Sequence, residues 1–408
     1  FQAEDGIRDR SPSRGLGDVY KRQFKARACV LGNRIDKVGM SLYTPVVSMV
    51  AHRLMLVSAA RQGDSIRCFD IDCAFLNAKI DDCVYVSIPK EWRENNEPAV
   101  KRLNKALYGL PQAPLLWFKK YLNDLQKLGW FPCPQEKGLW RMPSEYKKGT
   151  FLKLSVYVDD NVITGQEDAE VLFQTNRILQ IFTGRMIEPE RRGKWQIWDI
   201  LGAEFSFCRE ERSMQLSMGT YISKVAAAYN IHSFSSNPNC VTELDLEDDG
   251  DVIDFPYREI IGSLQWCATV ARPDISRQVN LLSRYNSRPP TTHRAGAAVK
   301  ILKYLNKTKE KGITYSPASE KAFKLEYTVD GQGNTVKTSA LNLFTDASFA
   351  SKVDQYYSVC GMLLILHGTP IAWKSVKQTV RAESTCEAEW ISASEGLKWV
   401  RSMGFLPF

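Results

Sequence analysis

The stretch FLKLSVYVDDNVITG, residues 151–165, constrains the fold of this chain more than any other. Leu152, Leu154, Val156 and Val158 recur at every second position, so they share one face of a strand. Val162 and Ile163 begin a return strand, and Asp159, Asp160 and Asn161 between them read as a polar turn, which predicts a β-hairpin carrying acids at its tip. Adjacent carboxylates repel, and a turn tolerates them where water or a cation screens the charge. On spacing alone, the same residues also make an ordinary Asp-Asn turn.

A second acidic strand lies upstream. In IRCFDIDCAFLNAKI, residues 66–80, Asp70 and Asp72 interrupt an apolar run. An Asp on an apolar strand costs desolvation energy unless something pairs with it, and a divalent cation shared with the hairpin acids would do so. Mg²⁺ takes such oxygen ligands, keeps several waters and accepts substrate phosphates, so converging carboxylates suit two-metal phosphoryl transfer.

The chain has 408 residues, 44% of them hydrophobic, which excludes a disordered tail and allows two to four domains. The apolar stretch at 38–60 is interrupted by His52 and Arg53, and no stretch approaches the roughly 18–20 uncharged residues of a membrane span. A soluble protein with no membrane partner is expected. The ten cysteines form no C-x-x-C pair and the four histidines no H-E-x-x-H motif, which favours a reducing compartment over a disulfide framework or structural zinc. The net charge of +8 is compatible with nucleic acid without arguing for it.

Residues 1–23 are polar, lack apolar periodicity and resemble a translated sequencing-adapter read, so they are set aside as an adapter-like, non-native segment. With no initiating Met and an abrupt end at Phe408, the sequence reads as a piece of something longer. Leu116, Tyr121, Leu122, Leu125 and Leu128 predict an amphipathic helix closed by Gly129. Seven acids within residues 243–254 read as a solvated linker or a metal loop. Helical patterning follows at 257–271, 274–285 and 292–305, then strands from Leu341 around a Gly-Thr-Pro turn, and a helix from Ser384.

The strings FDIDCAFLNA, KALYGLPQAPLLWF and LSVYVDDNVITG, in this order and spacing, resemble the reverse transcriptase of copia-type long-terminal-repeat retrotransposon Pol polyproteins. LGAEFSF with YISKVAAAY, YREIIGSLQWCATVARPDISRQVNLLSRY with HRAGAAVKILKYL, and FTDASFA with IAWKSVKQTVRAESTCEAEW extend the resemblance over about residues 24–408. It implies an α+β fold: a fingers-palm-thumb core followed by a truncated ribonuclease H-like α/β module. Fingers, palm and the start of the thumb would fill residues 24–240, a helical thumb and connection 241–335, and the partial ribonuclease H-like domain 336–408. The implied activity is RNA-directed DNA polymerisation on an RNA or DNA template with primer and deoxynucleoside triphosphates. Other parts of the Pol polyprotein are implied partners, in cytoplasmic virus-like particles with later nuclear entry.

Matched residue by residue, Asp70, Asp159 and Asp160 would be the catalytic acids holding two Mg²⁺ ions, or Mn²⁺ in their place, whereas Asp72 matches no ligand. Phe75 falls where an aromatic gate would exclude a 2′-hydroxyl, and a buried strand aromatic is the structural alternative. Gln112 would pack against the incoming nucleotide. Lys25 and Arg27 would face its triphosphate, or line a solvated basic strand. Arg284, Arg288, Arg294, Lys300 and Lys303 are candidates for gripping backbone phosphates, and solvated helix faces explain them equally well.

Asp346 and Glu387 match the first two ribonuclease H carboxylates, but Ser384 and Glu387 also form a capping box, which needs no metal. The remaining carboxylates of that family would lie beyond Phe408, which argues against ribonuclease H activity, or a standalone nuclease, from this polypeptide. Pro111 and Leu115 stand where the family has Lys and Arg, and Asn161 replaces an apolar residue. These departures keep open a second reading: a catalytically decayed, non-catalytic nucleic-acid-binding remnant.

Overall fold

The computed structural model describes residues 29–32, 35, 42–88, 93, 99–239, 250–326, 340–350 and 356–403. Lys25, Arg27 and most of the acidic linker lie outside them. The fold is mixed α and β.

Helix α1 (Met49–Gln62) starts at Ser48, whose hydroxyl accepts from Ala51 N–H, and ends at Gly63. Gly63 adopts φ 69°, so its N–H and that of Asp64 turn back to Ala60 and Ala59 carbonyls. Strand β1 (Ser65–Ile71) follows, then a 3-10 turn over Ala74–Asn77 and a small hairpin of β2 (Tyr85–Ser87) and β3 (Val100–Arg102). Helix α2 (Ala113–Lys127) is the expected amphipathic helix, with Gly129 at φ 94° just beyond it. Strands β4 (Phe131–Pro132), β5 (Leu139–Pro143), β6 (Phe151–Tyr157) and β7 (Asp160–Gly165), helix α3 (Asp168–Ile181) and β8 (Gly184–Ile187) complete the first unit. Its sheet has the order β4-β5-β6-β7-β1-β8, with every pair antiparallel.

Alternation along these strands gives the sheet two buried faces. Phe69, Ile71, Leu152, Leu154, Val156 and Ile163 pack with Trp117, Tyr121 and Leu125 of α2 and Val171 and Ile178 of α3. Ile66, Cys68 and Val162 face the opposite way, toward Met55, Leu56 and Ala59 of α1. The second core extends through a five-stranded antiparallel sheet. It comprises β9 (Glu190–Arg192), β10 (Trp195–Ile200), β11 (Ala203–Cys208) and β12 (Ser213–Ser217), with the later β13 (Gly312–Tyr315) beside β12.

Between β12 and β13 come helices α4 (Gly219–Ala228), α5 (Tyr257–Val270), α6 (Ser276–Ser283) and α7 (Thr292–Lys307). After helix α8 (Pro317–Glu326), a three-stranded meander of β14 (Leu341–Ser348), β15 (Val359–Leu366) and β16 (Thr369–Lys377) precedes α9 (Thr385–Ser402). Leu364, Ile371, Ala372 and Val400 from this last part belong to the same core as α1. Among the described residues, no helix is long and apolar enough to cross a membrane, and the described cysteines are free.

Candidate active site

The acidic hairpin is present, with its turn one step earlier than the pattern suggests. Tyr157 pairs with Asp160, so the two-residue turn is Val158-Asp159, and Asp160 and Asn161 already belong to β7. The turn needs a left-handed residue at its first position, and Val158 occupies it at φ 61°. A β-branched residue strongly disfavours that region, so apolar alternation through Val158 reads as strand when it is in fact the corner.

That shift decides which carboxylates meet. Strand β7 lies between β6 and β1, and in its register with β1 Asp160 stands opposite Asp70. Cross-strand partners project to the same face, here the face carrying Ile66 and Cys68. The Asp159 carbonyl accepts from Ile71 N–H at 3.1 Å, so the turn is tied to the end of β1 as well. On the other side of β1, Arg185 is the register partner of Asp70, and its guanidinium lies 4.0 Å from the Asp70 carboxylate. Sequence reading missed Arg185, because its approach depends on β8 being the next strand in the sheet.

Helix α2 holds the turn from the opposite face. Trp117 Nε1 donates to the Val158 carbonyl at 2.9 Å, and Tyr121 Oη donates to Asn161 Oδ1 at 2.9 Å. Asn161 Nδ2 donates in turn to the Asp159 carbonyl at 2.7 Å. Trp117 and Tyr121 stack at 5.0 Å and both meet the edge of Phe182 at 5.3 Å, which fixes the rings that do the holding. Burial drives the Tyr121 phenol far above its ordinary pKa, so it remains a donor.

Asp70, Asp159 and Asp160 thus issue from neighbouring backbone at one end of the six-stranded sheet. Their carboxylate chemistry fits a hard cation such as Mg²⁺. They do not close into a preformed cage: among the described residues, no three His, Cys, Asp or Glu side chains are gathered in metal-ligand fashion. Asp72 lies beyond the end of β1, its N–H bonded to the Thr183 carbonyl.

Phe75 sits in the 3-10 turn after β1, its ring 4.7 Å from that of Tyr108. Gln112 precedes the first residue of α2 and is buried. Its Nε2 reaches Asp82 at 3.4 Å, while its Oε1 has no hydrogen bond. Of the basic residues, Arg294 is only 3% exposed and donates to the Pro289 carbonyl, so it is part of the fold and not of a solvated face. Arg284 is bonded to Asn280 and Lys300 to the Asn239 carbonyl.

At the C-terminal end, Asp346 is exposed on β14 beside a cavity of about 410 Å³ that Arg277 and Lys374 also line. Glu387 behaves as a cap: its N–H donates to Ser384 Oγ at 3.1 Å, and its Oε2 accepts from Glu383 N–H at 2.6 Å. The α9 carboxylate that reaches the end of β14 is Glu389, which accepts from Ala347 N–H at 3.1 Å. The second acid of the string CEAEW was the available signal for it.

The family described as "Reverse transcriptase (RNA-dependent DNA polymerase)" matches residues 16–239. The chain is 28% identical to the retrovirus-related Pol polyprotein from transposon TNT 1-94 of Nicotiana tabacum, over 93% of this chain and 27% of that protein. It is 30% identical to that from transposon RE1 of Arabidopsis thaliana, over 95% of this chain and 25% of that protein. It therefore spans about a quarter of the length of those curated polyproteins. It is also 31% identical to a transposon Ty5-1 protein of Saccharomyces cerevisiae, over 80% of this chain and 98% of that protein. The chain belongs to the reverse transcriptase (RNA-dependent DNA polymerase) family, among relatives that are Pol polyproteins of copia-type retrotransposons.

Proposed function

We propose that this chain is the RNA-directed DNA polymerase segment of a retrotransposon Pol polyprotein. The observation that carries the reading is the opposition of Asp70 and Asp160 across β1 and β7, with Asp159 in the adjoining turn. Asp70, Asp159 and Asp160 would hold Mg²⁺, which when bound lowers the pKa of an attacking hydroxyl and stabilises the leaving oxygen. The chain's own part is to bring a primer 3′-hydroxyl and the α-phosphate of a deoxynucleoside triphosphate into line. Phe75, backed by Tyr108, would set the sugar preference, and Gln112 would pack against the incoming nucleotide.

In this reading the six-stranded sheet with α2 and α3 is the palm, β2 and β3 belong to the fingers, and α4–α7 serve as thumb and connection. The segment 336–408 would be the start of a ribonuclease H-like module. Glu387 being engaged as a helix cap supports the view that this module contributes no cleavage by itself.

The test is primer extension on poly(rA)/oligo(dT) with Mg²⁺, comparing the chain with its Asp159→Asn variant. Extension by the parent and a loss of at least about 100-fold in the variant is the expected outcome. The second reading, a decayed remnant, is favoured by the missing charges at Pro111 and Leu115. It predicts salt-sensitive hybrid binding by both proteins and extension by neither.

A further inference from the structure

Asn161 is a polar residue in an apolar place. Its side chain lies on the face of β7 that packs against α2 and α3, it is 2% exposed, and its strand neighbours on that face include Phe69 and Ile163. A carboxamide there costs stability unless both of its ends are bonded. Both are, and the partners are specific: Tyr121 Oη donates to Oδ1 at 2.9 Å, and Nδ2 donates to the Asp159 carbonyl at 2.7 Å.

The Asp159 carbonyl therefore accepts twice, from Asn161 Nδ2 on the α2 side and from Ile71 N–H on the β1 side. The preceding carbonyl, of Val158, accepts from Trp117 Nε1. Both peptide planes of the turn are thereby fixed from outside it, around a Val158 whose φ of 61° a free turn would relax. The backbone of a two-residue turn sets the direction of its Cα–Cβ bond, and with it the range that a carboxylate there can reach. Shifts of about 1 Å in such a group are enough to cost catalysis heavily.

We infer that Asn161 and Tyr121 form a positioning pair that aims the Asp159 carboxylate at the cation, acting through the Asp159 peptide and touching neither metal nor substrate. The inference rests on the polymerase reading for its consequence and on the hydrogen bonds alone for its geometry. An apolar side chain would fill the same space beneath the turn but would release the Asp159 carbonyl from α2. Tyr121 would then be left with a buried hydroxyl and no acceptor.

The decisive variant is the double substitution Asn161→Leu with Tyr121→Phe, which removes both polar partners together and leaves no buried group unpaired. Tyr121→Phe alone, which deletes one oxygen atom, is the second variant, and Asp159→Asn the reference for loss of the ligand. Each is made in the full chain and titrated with Mn²⁺, the free ion being read by electron paramagnetic resonance, alongside melting and Mg²⁺-dependent extension. The double variant is expected to melt within about 3 °C of the parent. It should nevertheless bind Mn²⁺ at least about fivefold more weakly and extend at least about tenfold more slowly, with template-primer affinity unchanged. Tyr121→Phe should fall between the two, and it carries the test if the double variant fails to fold.

A double variant that binds Mn²⁺ and extends like the parent would reduce the pair to packing and overturn the inference. So would a parent whose Mn²⁺ binding is indifferent to Asp159→Asn. A parent that binds Mn²⁺ through Asp159 yet extends nothing sinks the polymerase reading alone, and the Mn²⁺ ratio between parent and double variant still decides the pair.

Discussion

His52 and Asp64 flank strand β6 with opposite protonation preferences. His52 Nδ1 lies 3.1 Å from Ser155 Oγ, and burial together with the Arg53 charge draws its pKa down to about 4. Asp64 is buried, has no hydrogen bond to either oxygen and lies 3.8 Å from Lys153 Nζ. Burial pushes it up to about 6, with Lys153, Arg209 and Lys147 opposing only in part. The fold prefers Asp64 protonated, so the stability it contributes is complete below pH 3.8 and is lost as pH rises through 6. It prefers His52 neutral, so that contribution is complete above pH 6.5 and is lost as pH falls toward 4. Each swing is on the order of 3 kcal/mol, and in the parent they nearly cancel between pH 4 and 6.5. Asp64→Asn should unmask a steep loss of stability on acidification across that window, and His52→Gln a gain. Urea midpoints at half-unit pH steps read both, and two flat profiles would refute the assignment.

At the scale of elements, α1 shows what the sequence conceals. It is buried on several sides, His52 and Arg53 included, so it carries no apolar stripe of helical period and reads only as an interrupted apolar run. Helix α2 is different, because one wet face leaves its pattern and its closing Gly129 visible. The acidic strands were equally legible, and their convergence could be suspected. Their register was not, since the β1–β7 pairing joins residues about ninety positions apart and turns on an unfavourable conformation at Val158. Arg53 shows what α1 does. Its guanidinium donates to the Thr269 and Val270 carbonyls at the end of α5, at 2.7 and 2.9 Å, and to Ile371 of β16 at 2.7 Å. It also lies 4.2 Å over the Trp373 ring. Arg53→Met keeps the apolar stem and strips these carbonyls of their donor, which should cost about 3 kcal/mol or more in denaturant unfolding at pH 7. A cost under about 1 kcal/mol would mean that water replaces the guanidinium.

Over the whole molecule, the same contacts decide whether the last sixty residues are a unit of their own. The meander and α9 would be independent if their apolar surface closed on itself, and it does not. Leu364, Ile371, Ala372 and Val400 complete the core built by α1, the five-stranded sheet and the α4–α7 helices. Polar ties run along the same seam: Trp373 Nε1 to the Ala268 carbonyl at 2.7 Å, and Thr369 Oγ1 to the Thr314 carbonyl at 3.1 Å. Glu320 of α8 meets His367 in the β15–β16 turn at 3.2 Å. Leu364, Ile371, Val400 and the tryptophan, at roughly 1.5–3 kcal/mol each, together match what separates most domains from unfolding. Segment 341–403 should therefore melt together with the body, with tryptophan fluorescence and amide exchange in β15 and β16 reporting one coincident transition. A chain ended at residue 339 should melt about 10 °C or more lower, because it leaves Arg53 and the ends of α1 and α5 uncovered. Separate transitions, with the truncated chain as stable as the parent, would make the seam a contact between independent domains.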